Sequence, residues 1–256
     1  MTAKEKKRLD LLVYEKGLAQ SRQAAHALIM AGKVLVNERP ADKPGMQVDI
    51  DAVITNRDPA PAYVSRGGLK LAHAIDAFGI DVTETVCLDV GASTGGFTDC
   101  LLQHGAERVY AVDVGYGQLD WRLRNNARVI AIERTNIRHA SADLFPEPFD
   151  LITIDVSFIS LKIVIPAVLG LLKPEGKIVA LIKPQFEVGK GMVGKGGVVR
   201  DPMLHQEVID DLSGFLKTLG INITGVLPSP ITGPKGNREF LIYGVCLLHG
   251  DTGAAA

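Results

Sequence analysis

Read along its hydrophobic positions, the chain divides near residue 60 into a short mixed front and a long, regularly alternating body. In the front, Glu5 to Lys16 predicts a helix with Leu9, Leu12 and Val13 on one face, and Gly17 is a natural stop. Ser21 is placed to cap a second helix, Arg22 to Ala31, with Ala25, Leu28 and Ile29 inward and Gly32 ending it. Lys33 to Val36 predicts a short strand and Asn37 to Pro40 a turn. Val48 to Ile50 and Ala52 to Ile54 predict further short strands. Two helices and small hairpins are too little for an enzyme but enough for a module. Asn56 to Ala62, with Pro59 and Pro61, reads as a stiff linker, because proline fixes φ and forbids helix.

The body alternates helices and strands. Ser65 is placed to cap a helix through Phe78, with Leu71, Ala74, Ile75 and Phe78 apolar and Gly79 as its stop. Strands are predicted at Val86 to Val90, Arg108 to Asp113, Val129 to Ile132, Phe149 to Asp155 and Gly176 to Ile182. Helices are predicted at Thr94 to His104, Ser160 to Leu172 and Pro202 to Leu219. Two strands without a helix between them, Ile221 to Leu227 and Phe240 to Leu248, imply an antiparallel last strand. Continuous apolar strands of this kind belong to a mostly parallel sheet covered on both faces. The expected fold is therefore α/β and Rossmann-like, with a small α+β domain in front. The expected boundaries are 1–58 for the front module, 59–64 for the linker, 65–249 for the body and 250–256 for a disordered tail.

Charge changes the picture locally. The chain as a whole carries a formal net charge of −1. Residues 1–39, however, hold eight lysines and arginines against four acids. A small basic module on a neutral body suits a phosphate backbone as partner, although a solvated surface or a protein-docking module fits the same pattern. Cys87, Cys100 and Cys246 are far apart, and the histidines show no metal-binding spacing. A reduced, cytoplasmic protein without a metal is expected. The basic N-terminus has no apolar run behind it, and no apolar run reaches the length of a membrane span, so neither a signal peptide nor a membrane partner is expected.

Candidate chemistry begins in the loop after the first strand of the body. Asp89, Gly91, Ser93, Thr94, Gly95 and Phe97 lie where glycines let a ligand approach backbone amides and a helix N-terminus. Asp113 ends the next strand, placed to accept from both ribose hydroxyls. Asn136 and Ile137 follow the third strand, a polar amide and an apolar side chain that would bound an adenine. The G-x-G-x-x-G of dinucleotide enzymes is missing, which favours S-adenosylmethionine over a nicotinamide cofactor. Gly189 to Lys195 imitates a phosphate-binding loop, but Gly196 replaces the Ser or Thr such a loop needs. Val188 to Val199 is expected to be a long mobile loop beside the active site, closing as a lid or holding RNA phosphate.

Four charged residues complete the set. Asp155 and Lys183 follow the fourth and fifth strands, at the carboxyl ends where such sheets bind ligands. Glu239 begins the last strand and joins the same edge if that strand is antiparallel. Lys70 sits early in the first helix of the body, off its apolar stripe. Gathering two lysines and two carboxylates is costly and points to proton chemistry.

The run Gly17 to Asn37 resembles the alpha-L RNA-binding fold, named after ribosomal protein S-four, over about residues 7–55. That resemblance implies RNA contacts at Arg22, Gln23 and Lys33, with Lys6 and Arg8 beside them. Lys70, Asp155, Lys183 and Glu239 in this order, behind this Gly-rich loop, resemble the FtsJ-type ribose 2′-O-methyltransferases. With the front module and Tyr63-Val-Ser-Arg-Gly-Gly-Leu-Lys70, the whole chain is similar to the TlyA, or hemolysin A, family over residues 7–249. Pro61-Ala62-Tyr63 departs from the Arg-Ala-Trp associated with some members. The resemblance implies 2′-O-methylation of cytidine in ribosomal RNA, with a ribosomal subunit as partner. Lys183 would be the base that takes the hydroxyl proton; an amine becomes one when a neighbouring cation and partial desolvation disfavour its charge. Asp155 and Glu239 would orient the two amines. Two other readings remain at this stage: a non-catalytic RNA or ribosome-assembly binder, and a membrane-lytic protein. Oligomeric state is open.

Overall fold

A computed structural model describes residues 5–19, 21–57, 61–189 and 191–247. The expected tail at 250–256 and linker residues 58–60 lie outside the described residues. The chain forms two compact units, residues 1–60 and 61–256.

The first unit runs β1 (Lys6–Arg8), α1 (Leu9–Glu15), α2 (Arg22–Met30), β2 (Val34–Val36), β3 (Arg39–Ala41), β4 (Gln47–Asp49) and β5 (Ile54–Asn56). β1 pairs with β4, and β2 lies between β3 and β5. The helical stripes converge as their spacing requires: Leu9, Val13, Ala25 and Ile29 are fully buried, joined by Val34 and Val48. The Ser21 hydroxyl accepts from Ala24 N at 3.1 Å, capping α2. Three details differ from the sequence reading. Lys6–Arg8 is a strand, not a first helical turn, because Gln47–Asp49 offers it a ladder. The predicted Asn37 to Pro40 turn shrinks to Asn37 and Glu38, both at positive φ, which suits a two-residue hairpin. Arg39 and Pro40 therefore pair in β3, and Asn56 pairs with Val34 in β5 instead of opening a linker.

The second unit runs α3 (Gly67–Phe78), β6 (Val86–Val90), α4 (Gly96–Gln103), β7 (Arg108–Val112), α5 (Trp121–Arg124), β8 (Val129–Ile132), β9 (Phe149–Ile154), α6 (Leu161–Leu169), β10 (Leu172–Ile182), α7 (Pro184–Glu187), α8 (Pro202–Thr218), β11 (Ile221–Pro228) and β12 (Phe240–Cys246). The seven strands lie in the order β11-β12-β10-β9-β6-β7-β8. β6 to β10 are mutually parallel, and β12 is antiparallel to both neighbours, as the missing helix implied.

Period-two alternation sorts the apolar strand residues onto two faces. Leu88, Val90, Ile152, Ile154 and Ile178 pack with α6 and α8, while Cys87, Ala111, Leu151 and Val179 pack with α3 and α4. Each large side chain buried this way contributes about 1.5–3 kcal/mol. The apolar burial on these two faces is the main contribution that holds the sheet to its helices.

Differences here are local. α3 starts at Gly67, so Ser65 does not cap it; the Ser65 hydroxyl accepts from Gly67 N and packs against Gly96. α4 starts at Gly96, because Gly95 takes a left-handed conformation at φ 95° and leaves Thr94 in the loop. α6 stops at Leu169, and the chain re-enters the sheet at Leu172 through a register shift before Lys177. α5 has no apolar period to announce it; Asp120 caps it by accepting from Arg122 N.

Candidate active site

β6 and β9 are neighbours, and the chain runs outward from β6 to β7 and β8 before returning to β9. Such a switch point opens a crevice beyond the carboxyl ends of the strands. Two cavities lie there. The first, about 430 Å³, is lined by Gly91, Ser93, Asp113, Asn136, Ile137 and Phe158 among others. The second, about 520 Å³, is lined by Arg66, Lys70, Thr94, Phe97, Lys183 and Gly233 among others. Gly91, Ser93, Asp155 and Ser157 form a wall common to both.

The first cavity is built by backbone geometry. Gly91 sits at φ 85°, and a Cβ there would lie 2.4 Å from the Asp155 carbonyl oxygen, so glycine is required where β6 passes β9. Ser93, also at positive φ, donates its N–H to Asp113 Oδ2 at 2.8 Å. Gly115 N donates to Asp113 Oδ1 at 2.7 Å, which fixes the carboxylate at the cavity wall. Asn136 caps a 3-10 turn over Ile137–His139, accepting from Arg138 N, and Ile137 is buried. A fixed carboxylate, an apolar side chain and an amide around a glycine cradle fit an adenosine-bearing cofactor.

Asp89 stands elsewhere. Alternation along β6 turns it toward α4, where it is fully buried and lines neither cavity. Thr98 Oγ1 donates to its Oδ2 at 2.6 Å and Thr153 Oγ1 to its Oδ1 at 3.2 Å. Burial pushes its carboxyl up to about 7, with the Asp155 charge adding to the effect and the threonine bonds opposing it. Asp89 thus ties β6 to α4 and β9 beneath the loop. Gly95 likewise lines neither cavity; a Cβ there would strike Leu123 and Leu119.

Lys70, Asp155 and Lys183 line the second cavity, and with the buried Glu239 behind it they form two pairs. Lys183 Nζ lies 2.6 Å from Asp155 Oδ1, an ion contact whose angle does not make a hydrogen bond. The same Nζ donates to Ser157 Oγ at 3.0 Å. Lys70 Nζ donates to Glu239 Oε2 at 2.6 Å. Lys70 is therefore buried, not an off-stripe solvated charge, because a residue 169 positions away receives it. Glu239 immediately precedes β12, whose Phe240 pairs with Ile182, and this brings it to the same sheet edge. Its carboxylate lies beneath Gly233, where a Cβ would come within 2.0 Å of Oε1.

Sequence reasoning missed Ser157 and Phe158. Both follow Asp155 in the loop after β9, a position that alone could have flagged them. Phe158 is 90% exposed at φ 65°, beside Phe186 at 5.0 Å between ring centres. Val188 to Val199 is not a free-standing loop at its C-terminal end: Val198 and Val199 are buried, and Asn237 Oδ1 accepts from Val199 N.

In the first unit, Lys6, Arg8, Arg22, Gln23 and Lys33 are all exposed. Arg8 and Arg22 share a residue not singled out from sequence. Asp10, buried, accepts from Arg8 Nε and Nη2 and from Arg22 Nε at 3.0–3.1 Å. Those bonds, that to Arg8 foremost, hold its carboxyl down at about 2 against the effect of burial. Two half-exposed guanidiniums are thereby fixed at the surface.

Among the described residues no helix is long and apolar enough to cross a membrane, and no group of three or more His, Cys, Asp or Glu could hold a metal ion. The family described as FtsJ-like methyltransferase matches residues 63–245, and the S4 domain matches residues 7–54. The chain belongs to the FtsJ-like methyltransferases, enzymes dependent on S-adenosylmethionine, and carries an S4 domain in front. It is 49% identical to YqxC of Bacillus subtilis over 95% of this chain and 86% of that one. It is 48% identical to the 16S/23S rRNA (cytidine-2′-O)-methyltransferase TlyA of Mycobacterium tuberculosis, over 92% of this chain and 88% of that one. A solved structure from Streptococcus thermophilus, 42% identical, superposes with a TM-score of 0.72 and covers 95% of this chain and 90% of that one.

Proposed function

We propose that this protein methylates the ribose 2′-oxygen of a cytidine in ribosomal RNA, acting in the cytoplasm on a ribosomal subunit or its RNA. The observation that carries the reading is the common wall: a cradle suited to the cofactor and a cavity holding a lysine–carboxylate pair meet at Asp155. Named relatives with this activity, and the S4 domain, support RNA as the substrate class.

Asp113, Asn136, Ile137 and the Gly91–Ser93 loop would hold the cofactor. When bound, S-adenosylmethionine supplies a methyl group on a sulfonium, an electrophile open to attack by oxygen. The ribose hydroxyl enters from the second cavity. Lys183 Nζ, once it has released a proton to solvent and stands as the neutral amine, receives the hydroxyl proton, while Asp155 and Ser157 aim the amine. Lys70, held by Glu239, contributes a fixed positive charge to the wall that faces the ribose. Holding oxygen and methyl in line supplies much of the rate. Phe158, exposed on the wall of the first cavity next to the common wall, offers a flat apolar face suited to stacking with a nucleobase drawn out of its helix. Arg8, Arg22, Gln23, Lys6 and Lys33 contact RNA phosphates from the S4 domain.

The test is transfer of tritiated methyl from the cofactor to protein-free rRNA and to isolated subunits, followed by mass mapping of the product. 2′-O-methylcytidine is expected as the product. Methyl on a base, or no incorporation into RNA, would overturn the reading.

A further inference from the structure

The segment between β11 and β12 has two sides. On one, Ile231 and Gly233 line the catalytic cavity. On the other, Lys235 and Arg238 line a separate cleft of about 230 Å³, closed across by Arg200 and His205. The far wall comes from the end of the 188–199 loop, which turns back on itself with Gly194 N donating to Val198 O at 3.2 Å. Asn237 fastens the two walls together. Its Oδ1 accepts from Val199 N at 3.1 Å, and its Nδ2 donates to Gly197 O at 3.0 Å. Within the far wall, His205 Nε2 donates to Val199 O at 2.9 Å and fixes the loop end to α8.

The cleft is built for an anion. Arg200, Lys235 and Arg238 are exposed, and no carboxylate lines the cleft with them. Among the described residues none of the three makes an ion pair, whereas most of the charges around the catalytic cavity are paired. Three like charges in one small cleft repel each other and raise the local potential, an arrangement relieved by a bound anion. Lys235 is held at φ 59° and ψ 13°, a conformation non-glycine residues seldom adopt and one that tends to mark functional sites.

We infer that this cleft binds a backbone phosphate of the RNA strand, one that flanks the nucleotide whose ribose faces Lys183. The inference rests on the proposed 2′-O-methylation of RNA. Placement in the chain supports it: the segment that lines the catalytic cavity with Ile231 and Gly233 lines this cleft with Lys235 and Arg238, and every ribose in a strand has a phosphate on either side. The contact positions the strand and reads no base.

The test compares the full-length protein with the triple variant Arg200→Gln/Lys235→Gln/Arg238→Gln on protein-free rRNA across a salt series. The KM for RNA is expected to rise about tenfold or more at moderate salt, with kcat at saturating RNA and cofactor affinity little changed. The slope of log KM against log salt should become shallower by about 0.7, the contribution of one single-strand phosphate contact. Lys235→Glu alone, an exposed change, should move KM the same way, and Lys235→Arg should restore it. Unchanged KM and slope beside an active wild type overturn the inference. So does a triple variant that is normal on protein-free rRNA and impaired only on intact subunits, which assigns the cleft to a ribosomal protein. A wild type that transfers no methyl to RNA defeats the proposed function instead. Equilibrium binding of labelled rRNA to wild type and variant then still decides the cleft.

Discussion

Two lysine–carboxylate pairs stand at one sheet edge, and they differ in how completely they are closed. Lys70 and Glu239 meet in a hydrogen bond at 2.6 Å, with the Glu239 side chain at 0% exposure and its Oε1 buried without a hydrogen bond among the described residues. Lys183 and Asp155 are equally near, yet the hydrogen bond from Lys183 goes to Ser157, and Asp155 opens onto both cavities. A buried pair with good geometry is a fixture, and breaking it leaves an uncompensated charge. A pair held off its best angle beside a cavity has room to exchange partners with an incoming hydroxyl. The contrast supports the proposed roles, proton transfer at Lys183 and positioning at Lys70.

Substitutions that remove one partner at a time sharpen the contrast. Lys70→Ala strands Glu239 in the interior, so the largest effect falls on the fold, about 3–5 kcal/mol of stability, read by denaturant unfolding. A variant as stable as wild type would show that the pair is not the fixture described. Asp155→Asn leaves Lys183 with Ser157 but without its anion. Turnover should drop about ten- to a hundredfold with little loss of stability, because a charged contact of this kind contributes about 1.5–3 kcal/mol. Ser157→Ala removes one hydrogen bond from an amine that keeps Asp155, and kcat should fall by no more than about tenfold.

A subtler effect separates these charges from Asp89. Its folded-state carboxyl sits at about 7, above the ordinary 3.8, so between those values the folded chain holds a proton that the unfolded chain has lost. Stability should therefore fall as pH rises from about 4 to about 7 and level off above. Asp89→Asn should flatten that part of the unfolding profile. An unchanged profile would show that Asp89 is not the source. Asp10 runs the other way: held at about 2, it stabilises its unit above about pH 4, and that contribution is lost as pH falls toward 2.

How much of this was legible depended on what the neighbours of each residue were. Asp155 and Lys183 stood out because apolar runs of period two end just before them, at β9 and β10. Glu239 followed from the missing helix between β11 and β12. The burial of Lys70 was not legible, since helical spacing reports packing on the sheet and says nothing of a carboxylate 169 residues away. Asp89 carried the expected motif position, but strand alternation turned it away from the cavity toward Thr98. Asp10 was hidden within a run read as one helix, where a strand at Lys6–Arg8 instead swings Arg8 onto it. Ser157 and Phe158 carry no spacing of their own and became visible only once β9 placed them on the cavity walls.

The central claim is that Lys183 takes the proton while the cofactor cradle stands apart from it. Lys183→Ala, followed in a single turnover with rRNA and tritiated cofactor, tests it most directly. The expected result is a loss of about 10²–10⁴-fold in the transfer rate, with cofactor affinity by equilibrium binding close to wild type. Near-normal transfer in that variant would contradict the claim.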